Sequence, residues 1–198
     1  MFGMFKKQSV HEPVEKQRED ALNSIMEPIR SIMAPQMLGG LDCDQLPNGN
    51  GVFGSINNPI PVNGSIGEIK YLVKLRGVTG EAVMFHRIGS MASTTVKHPV
   101  DCYEVVCMDG TQWGRLHFDF YHPRRSNIAP PGYTLIPFNK QLGMDIPYGF
   151  GTNALVSNFP FDLPSAVVQC YGESPGRAFA KRVEERLHKH NFQRPSRT

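Results

Sequence analysis

The chain has 198 residues, of which 40% are hydrophobic and 20% charged, a composition typical of a folded globular protein and not of a disordered one. Its net charge of +3 is lower than the concentrated positive charge of most nucleic-acid-binding proteins, so nucleic acid is not an expected partner. No stretch approaches the roughly 20 apolar residues of a membrane-spanning helix. We expect one domain over residues 1–198, because this length suits a single core.

The chain contains four cysteines: Cys43, Cys102, Cys107 and Cys170. An even number would suit disulfides in a short secreted protein, but residues 1–7 contain no apolar run like that of a signal peptide. We therefore expect a cytoplasmic protein with reduced thiols.

Residues 13–38 are predicted to form an N-terminal helical segment. Apolar residues recur there at three- and four-residue spacing between Leu22 and Met33, and Pro28 is expected to kink the helix. Acidic and basic residues are mixed on the polar side, so packing on the domain core is favoured over binding to a membrane surface.

Residues 39–67 are rich in glycine, proline and asparagine, which predicts a long loop. A loop of this length in a compact domain often carries function. The alternative is an irregular segment that covers one edge of a sheet.

Residues 68–122 are predicted to form the antiparallel strand core. Four strands are predicted from alternating apolar and polar residues: 68–76, 81–88, 100–108 and 111–121. Residues 77–80 form a turn between the first two strands, and Asp109-Gly110 is a strong two-residue hairpin signal between the last two.

Residues 123–171 are predicted to be irregular, with short strands at 133–138, 154–159 and 167–171. Residues 174–190 are predicted to form a C-terminal helix, with Ser174 at the N-cap and Pro175 at the first helical position. The predicted fold class is α+β: an antiparallel meander of four or more strands, flanked by N- and C-terminal helices and with long Gly/Pro-rich loops.

Two short motifs resemble functional signatures but lack the required context. Residues 49–54 match G-x-G-x-x-G, yet neither a strand precedes them nor a helix follows, as a dinucleotide site requires. Residues 172–176 match G-x-S-x-G, but Pro175 follows the serine and has no N–H to donate to an oxyanion.

The Asp109-Gly110 turn predicts a register for the hairpin. Cys102 is expected opposite His117, and Glu104 opposite Arg115, with Asp119 further along the same face. Directly opposed side chains have Cβ atoms roughly 4.5–5.5 Å apart, within reach of a hydrogen bond or a shared ligand.

Cys102, His117 and Asp119 are the candidate catalytic residues. An adjacent imidazole can lower the pKa of a thiol and make it a nucleophile, with the carboxylate orienting the ring. The same groups are zinc ligands, so a metal site is a second interpretation, and the sequence identifies no cofactor. The third interpretation is an ordinary half-exposed sheet face.

Five further residues are candidates for ligand contacts: Glu104, Arg115, His122, Arg124 and Arg125. The first two are predicted to form a cross-strand ion pair. The other three form a basic turn after the last strand, which suits either contact with an anion or a simple surface turn.

Two functions remain open. The favoured one is a non-enzymatic binding or protein-interaction domain that uses the 39–67 loop and the polar sheet face, because each catalytic motif lacks its context; its ligand would be another protein or a small molecule. The alternative is a small thiol- or metal-dependent enzyme that uses Cys102, His117 and Asp119. The sequence determines neither the ligand nor the oligomeric state.

Overall fold

A computed structural model describes residues 39–137, 149–150, 156–171, 173–190 and 192. The predicted N-terminal helical segment, 13–38, lies outside the described residues. The elements in chain order are β1 (Ile60–Pro61), α1 (Gly64–Lys74), β2 (Leu75–Gly77), β3 (Val83–Met91), β4 (Val100–Cys107), β5 (Trp113–Asp119), β6 (Tyr133–Leu135), β7 (Gly149–Phe150), α2 (Leu163–Tyr171) and α3 (Glu173–Lys189).

The main sheet has the strand order β1-β5-β4-β3-β7. Strands β3, β4 and β5 form an antiparallel meander, and the two-residue strands β1 and β7 pair in parallel at its two edges. Strands β2 and β6 form a separate antiparallel pair. The predicted α+β class with a largely antiparallel sheet is therefore confirmed.

The predicted strand at 68–76 is wrong, because α1 occupies most of this segment and only β2 is extended. The buried residues of α1 recur at three- and four-residue spacing and include Gly64, Glu68 and Leu72. Leu72 is apolar at a position where the strand predicted at 68–76 requires a polar residue, and it lies on the buried face of the helix. The apolar residues of this segment fit both the two-residue period of a strand and the 3.6-residue period of a helix in part. Packing of their buried face against the sheet stabilises the helix.

The end of the chain also differs from the prediction. Residues 163–171 form α2 where a strand was expected at 167–171, and the described residues of the other predicted strand, 156–159, do not form a strand. A short apolar run suits a buried helix as well as a buried strand. The C-terminal helix, predicted at 174–190, is confirmed as α3 over Glu173–Lys189. The predicted N-cap is wrong, because α3 already includes Glu173, so Ser174 and Pro175 lie within its first turn.

The sheet separates two hydrophobic cores. The side of the sheet that carries Tyr103, Val105 and Phe118, called the α1 face, packs against Tyr71 and Leu72 of α1. This face was predicted to be the core. The opposite side, called the α2–α3 face, was expected to be polar.

At the hairpin end the α2–α3 face forms a second core in which Met84 and Val106 pack with Val167 and Val183. Among the described helices, none combines the length and apolar character needed to cross a bilayer.

Candidate functional site

The β4–β5 hairpin has the predicted register. Cys102 lies opposite His117, and Glu104 lies opposite Arg115. The connection is wider than predicted, because the N–H of Cys107 donates to the carbonyl of Gln112 at 2.8 Å and leaves residues 108–111 in the loop. The register is unchanged because the loop gains one residue from each strand.

Cys102 and His117 are brought together, but their surroundings keep the thiol protonated. Both residues are buried, and burial raises the pKa of Cys102 to about 11. Burial lowers the pKa of His117, whose Nδ1 lies 3.2 Å from the carbonyl oxygen of Gly54 and must donate to it. A thiol nucleophile requires the opposite shift in its pKa.

Asp119, the third candidate catalytic residue, binds two other histidines. Its carboxylate is buried, with Oδ1 2.7 Å from Nε2 of His98 and Oδ2 3.0 Å from Nε2 of His122. Burial alone would raise the pKa of Asp119, but the hydrogen bonds from His122 and His98 lower it. Asp119 is therefore a charged carboxylate held between two imidazole rings.

His122 uses both of its ring nitrogens. Its Nδ1 lies 2.7 Å from the carbonyl oxygen of Leu41, an acceptor only, so Nδ1 carries a hydrogen. Its Nε2 faces Asp119. Burial alone would lower the pKa of His122, but the bonds to Asp119 and Leu41 raise it. His122 is therefore placed to be an imidazolium that partly neutralises Asp119.

His98 is the residue of this cluster that reaches solvent, with 34% of its side chain exposed. Only its Nε2 is used within the described residues, and its ring lies 4.1 Å from that of Tyr121. His98 was not among the predicted site residues. The available signal was the hairpin register, which, extended beyond the strands, places residue 98 opposite residue 121.

The predicted basic turn, His122 to Arg125, forms hydrogen bonds with the start of the 39–67 segment. Nη1 of Arg124 lies 2.6 Å from Oδ1 of Asp44, and its Nε bonds Asp42. Arg125 is half-buried, and burial lowers its pKa. The charges of His122 and Arg124 are thus engaged inside the chain.

Glu104 faces Arg115 in the ladder but binds other residues. Nε1 of Trp113 donates to its Oε1 at 2.8 Å, and Nε2 of His86 lies 3.0 Å from its Oε2. His86 accepts the backbone N–H of Val156 at Nδ1, so Nε2 carries the hydrogen. The predicted ion pair between Glu104 and Arg115 is replaced by these bonds, because both donors lie beside Glu104 on the same face.

Arg115 is exposed, and it forms no ion pair with any residue that the structure describes. It lines a cavity of about 440 Å³ at the edge of β5, within the size range of small-ligand pockets. Three chain segments line this cavity: Val52–Ser55, Thr111–Leu116 and Pro130 to Tyr133. One wall of this cavity therefore comes from the 39–67 segment.

Gly114 forms part of the floor of this cavity, which is called the Gly114 cavity below. Gly114 lies opposite Val105 and so belongs to the α1 face. A Cβ built at Gly114 would meet no heavy atom within 4 Å. The missing side chain therefore leaves open space where a strand normally carries a buried residue.

Within the residues that the structure describes, hydrogen bonds cover part of the outer edge of β5. Strand β1 pairs with Phe118 and Asp119, and the carbonyl of Gly54 accepts the N–H of His117 at 2.9 Å. Hydrogen-bonded and non-hydrogen-bonded pairs alternate along an antiparallel ladder, and Cys107 with Gln112 is a bonded pair. The backbone N–H and C=O of Arg115 therefore point away from β4, toward this edge.

A second buried carboxyl group lies under α1. The hydroxyl of Tyr103 donates to Oε2 of Glu68 at 2.7 Å, and burial, with the nearby Asp101, raises the pKa of Glu68 to about 9. Asp101 accepts two bonds from Arg87, at 2.7 and 2.8 Å. Glu68 is thus a protonated acid in the interior at neutral pH.

No three His, Cys, Asp or Glu side chains among the described residues are arranged to hold a metal ion. Comparison with known proteins found no matching family, no matching curated protein and no matching solved structure. Within the described residues, the Gly114 cavity and the His98–Asp119–His122 cluster have the geometry of candidate sites.

Proposed function

We propose that this protein is a binding module whose ligand occupies the Gly114 cavity. The observation that carries the proposal is the open space at Gly114, on a face where the neighbouring Val105 and Leu116 are buried. A glycine inside a strand weakens the strand and often marks a close approach by a ligand or another backbone. A binding role accounts for that cost.

The walls of the Gly114 cavity indicate the chemistry of the ligand. Phe53, Leu116 and Pro130 are buried and provide an apolar lining, and Tyr133 is half-buried. Arg115 supplies an exposed positive charge at the same site. These features favour a ligand with an apolar group for the cavity and an anionic group for Arg115.

Hydrogen bonds of Gln112 stabilise the walls of the Gly114 cavity without a ligand. The side-chain amide of Gln112 donates from Nε2 to the carbonyl of Gly132, and its Oε1 accepts the N–H of Val78 at 3.2 Å. The first bond holds the β4–β5 hairpin against the segment that forms the third wall, and the second connects it to the turn after β2. A site that is already formed loses less entropy when the ligand binds.

The test uses 3-phenylpropionate as a probe, with binding followed by amide chemical shifts. We expect concentration-dependent shifts at Gly54, Gly114 and Arg115. Gly114→Ala should weaken binding, and Gly114→Val should abolish it, because a larger side chain fills more of the cavity. Neither change requires an unusual backbone, since no positive φ occurs at Gly114.

Thermal melting of each variant provides the control for folding. If the folded Gly114→Val variant binds 3-phenylpropionate as wild type does, or if the wild type shows no shifts at these amides, the proposal fails.

A second candidate function is acid–base catalysis at His98. The supporting observation is that buried Asp119 holds Nε2 of His98 while the ring remains partly exposed. In this arrangement Nδ1 of neutral His98 would take a proton from an attacking water, and Asp119 would stabilise the imidazolium that forms.

Hydrolysis of p-nitrophenyl acetate tests this candidate. His98→Ala should abolish the activity, and His188→Ala, which removes an exposed histidine of α3, should leave it unchanged. Equal rates in wild type and His98→Ala would remove acid–base catalysis from consideration.

A further inference from the structure

This inference rests on the proposed function and identifies the class of partner. We propose that the occupant of the Gly114 cavity is an extended peptide segment of another protein, which adds as a strand to the free edge of β5. Its apolar side chain would enter the cavity, and a neighbouring Asp or Glu would bind Arg115.

The first argument is the free backbone at the edge. Among the described residues, β1 and Gly54 form hydrogen bonds along the edge of β5 from His117 to Asp119 and leave Trp113 to Arg115 open over about 10 Å. Beyond the β4–β5 ladder, no described residue forms a hydrogen bond with the backbone of Arg115. A free edge of this kind is a template for an added strand.

The second argument is that the edge and the cavity coincide. Residues Thr111–Leu116 line the Gly114 cavity, so a ligand in the cavity lies beside the free backbone of β5. A compact small molecule would use the cavity and leave the N–H and C=O of Arg115 without partners. An extended peptide provides both the side chain and the matching row of backbone groups.

The alternation of side chains along β5 predicts a sequence pattern for the peptide. Gly114 belongs to the α1 face and Arg115 to the opposite face, because successive residues of a strand alternate. The added strand alternates in the same way. The peptide residue that faces the cavity and the residue that faces Arg115 are therefore adjacent in its sequence, which predicts an apolar residue directly next to Asp or Glu.

Charge complementarity supports the acidic residue. Arg115 is exposed and forms no ion pair within the described residues, whereas Arg87, Arg124 and Arg186 each bind a carboxylate. A guanidinium at a strand edge is suited to a carboxylate of an incoming chain. The predicted pair therefore uses a guanidinium that has no carboxylate partner in the described part of the chain.

Selection of binders from a phage-displayed library of random dodecapeptides is the first experiment. We expect the selected peptides to share an apolar residue directly followed or preceded by Asp or Glu. On binding of one such synthetic peptide, hydrogen exchange at the amide of Arg115 should slow by at least about tenfold, because one new backbone hydrogen bond protects it. Arg115→Glu should reduce the affinity of the peptide by a similar factor.

N-methylation of the peptide provides a matched pair of probes that leaves the protein unchanged. A methyl group on the amide that faces β5 should lower the affinity more than about tenfold, since it removes a donor and obstructs the edge. The same methyl group one residue along faces away from β5, and the affinity should stay within about twofold.

Three results would overturn the inference. Equal tolerance of both methylations, with binding still lost in Gly114→Val, would mean that the cavity is used without strand addition. Binding of 3-phenylpropionate but of no library peptide would have the same meaning. Both results leave the proposed function intact. Concentration-dependent dimers that protect the Arg115 amide would assign the edge to a second copy of this chain.

Discussion

The buried acid Glu68 makes the stability of this protein depend on pH in a defined direction. Its side chain is fully buried in α1, and its pKa is raised from 4.5 to about 9. Between these two values the folded protein keeps a proton that the unfolded chain releases. The free energy of unfolding therefore falls as the pH rises through this range, and the full contribution of Glu68 is present only below pH 4.5.

The size of the effect follows from the proton difference. One group that is protonated in the folded state and ionised in the unfolded state changes the free energy of unfolding by about 1.4 kcal/mol per pH unit. Raising the pH from 6 to 8 should therefore lower the free energy of unfolding by at most about 3 kcal/mol. This value is an upper limit because the unfolded chain is treated as fully solvated.

Glu68→Gln removes this pH dependence. The amide oxygen can accept the hydrogen bond of Tyr103, and the amide is neutral at every pH in the range. Urea unfolding at pH 6, 7 and 8, followed by the fluorescence of the single tryptophan, Trp113, measures the slope. We expect a steep decline for wild type and a much smaller one for Glu68→Gln, in which the contribution of His122 remains.

Glu81→Gln is the matched control, because Glu81 is half-exposed and lies 3.3 Å from Arg186 at the surface. This variant should keep the wild-type slope. Parallel curves for wild type and Glu68→Gln, or a wild type that gains stability toward pH 8, would refute the assignment of a buried neutral acid.

Two further predictions concern the titratable groups around β5. Asp119→Asn should lower the free energy of unfolding by about 1–3 kcal/mol, because the amide keeps one of the two oxygens that accept the imidazole bonds and loses the negative charge. NMR titration should show a lower pKa for His122, and an unchanged pKa would contradict the pairing. Iodoacetamide at pH 7 should modify half-exposed Cys43 before the buried thiols Cys102 and Cys107, as measured by mass spectrometry; preferential modification of Cys102 would restore the thiol mechanism.

The hairpin of β4 and β5 could be predicted from local chemistry. Asp109-Gly110 marks the reversal, and the alternation on both sides sets the register, so the residues opposite Cys102 and Glu104 follow from the sequence alone. The hydrogen-bond partners of these residues do not follow from the sequence. Glu104 turns to His86 and Trp113, and Asp119 turns to His98 and His122, because those donors come from β3, the loops and the strand ends.

The Gly114 cavity could not be predicted from the sequence either, because segments that are distant in the chain form its walls. The loop was predicted at 39–67, although residues 60–61 form β1 and α1 begins at Gly64. The contact of this segment with β5 at Gly54 depends on the path of the chain in three dimensions. Gly114 looked like an ordinary strand residue, since the open space above it is bounded by segments about 60 residues before it and 20 residues after it. Spacing along the chain carries no signal for such a site.

By itself the sequence determined the antiparallel hairpin, its register and, to within one residue at each end, the helix at Glu173–Lys189. Turn chemistry, alternation and helical periodicity act over a few neighbouring residues, so the sequence carries them. Only the tertiary structure decided that Gly64–Lys74 is helical, that Glu68 is a buried acid and that a cavity opens at Gly114. These features depend on which distant segments pack together, and the free energy of burial is set by those contacts, not by local periodicity.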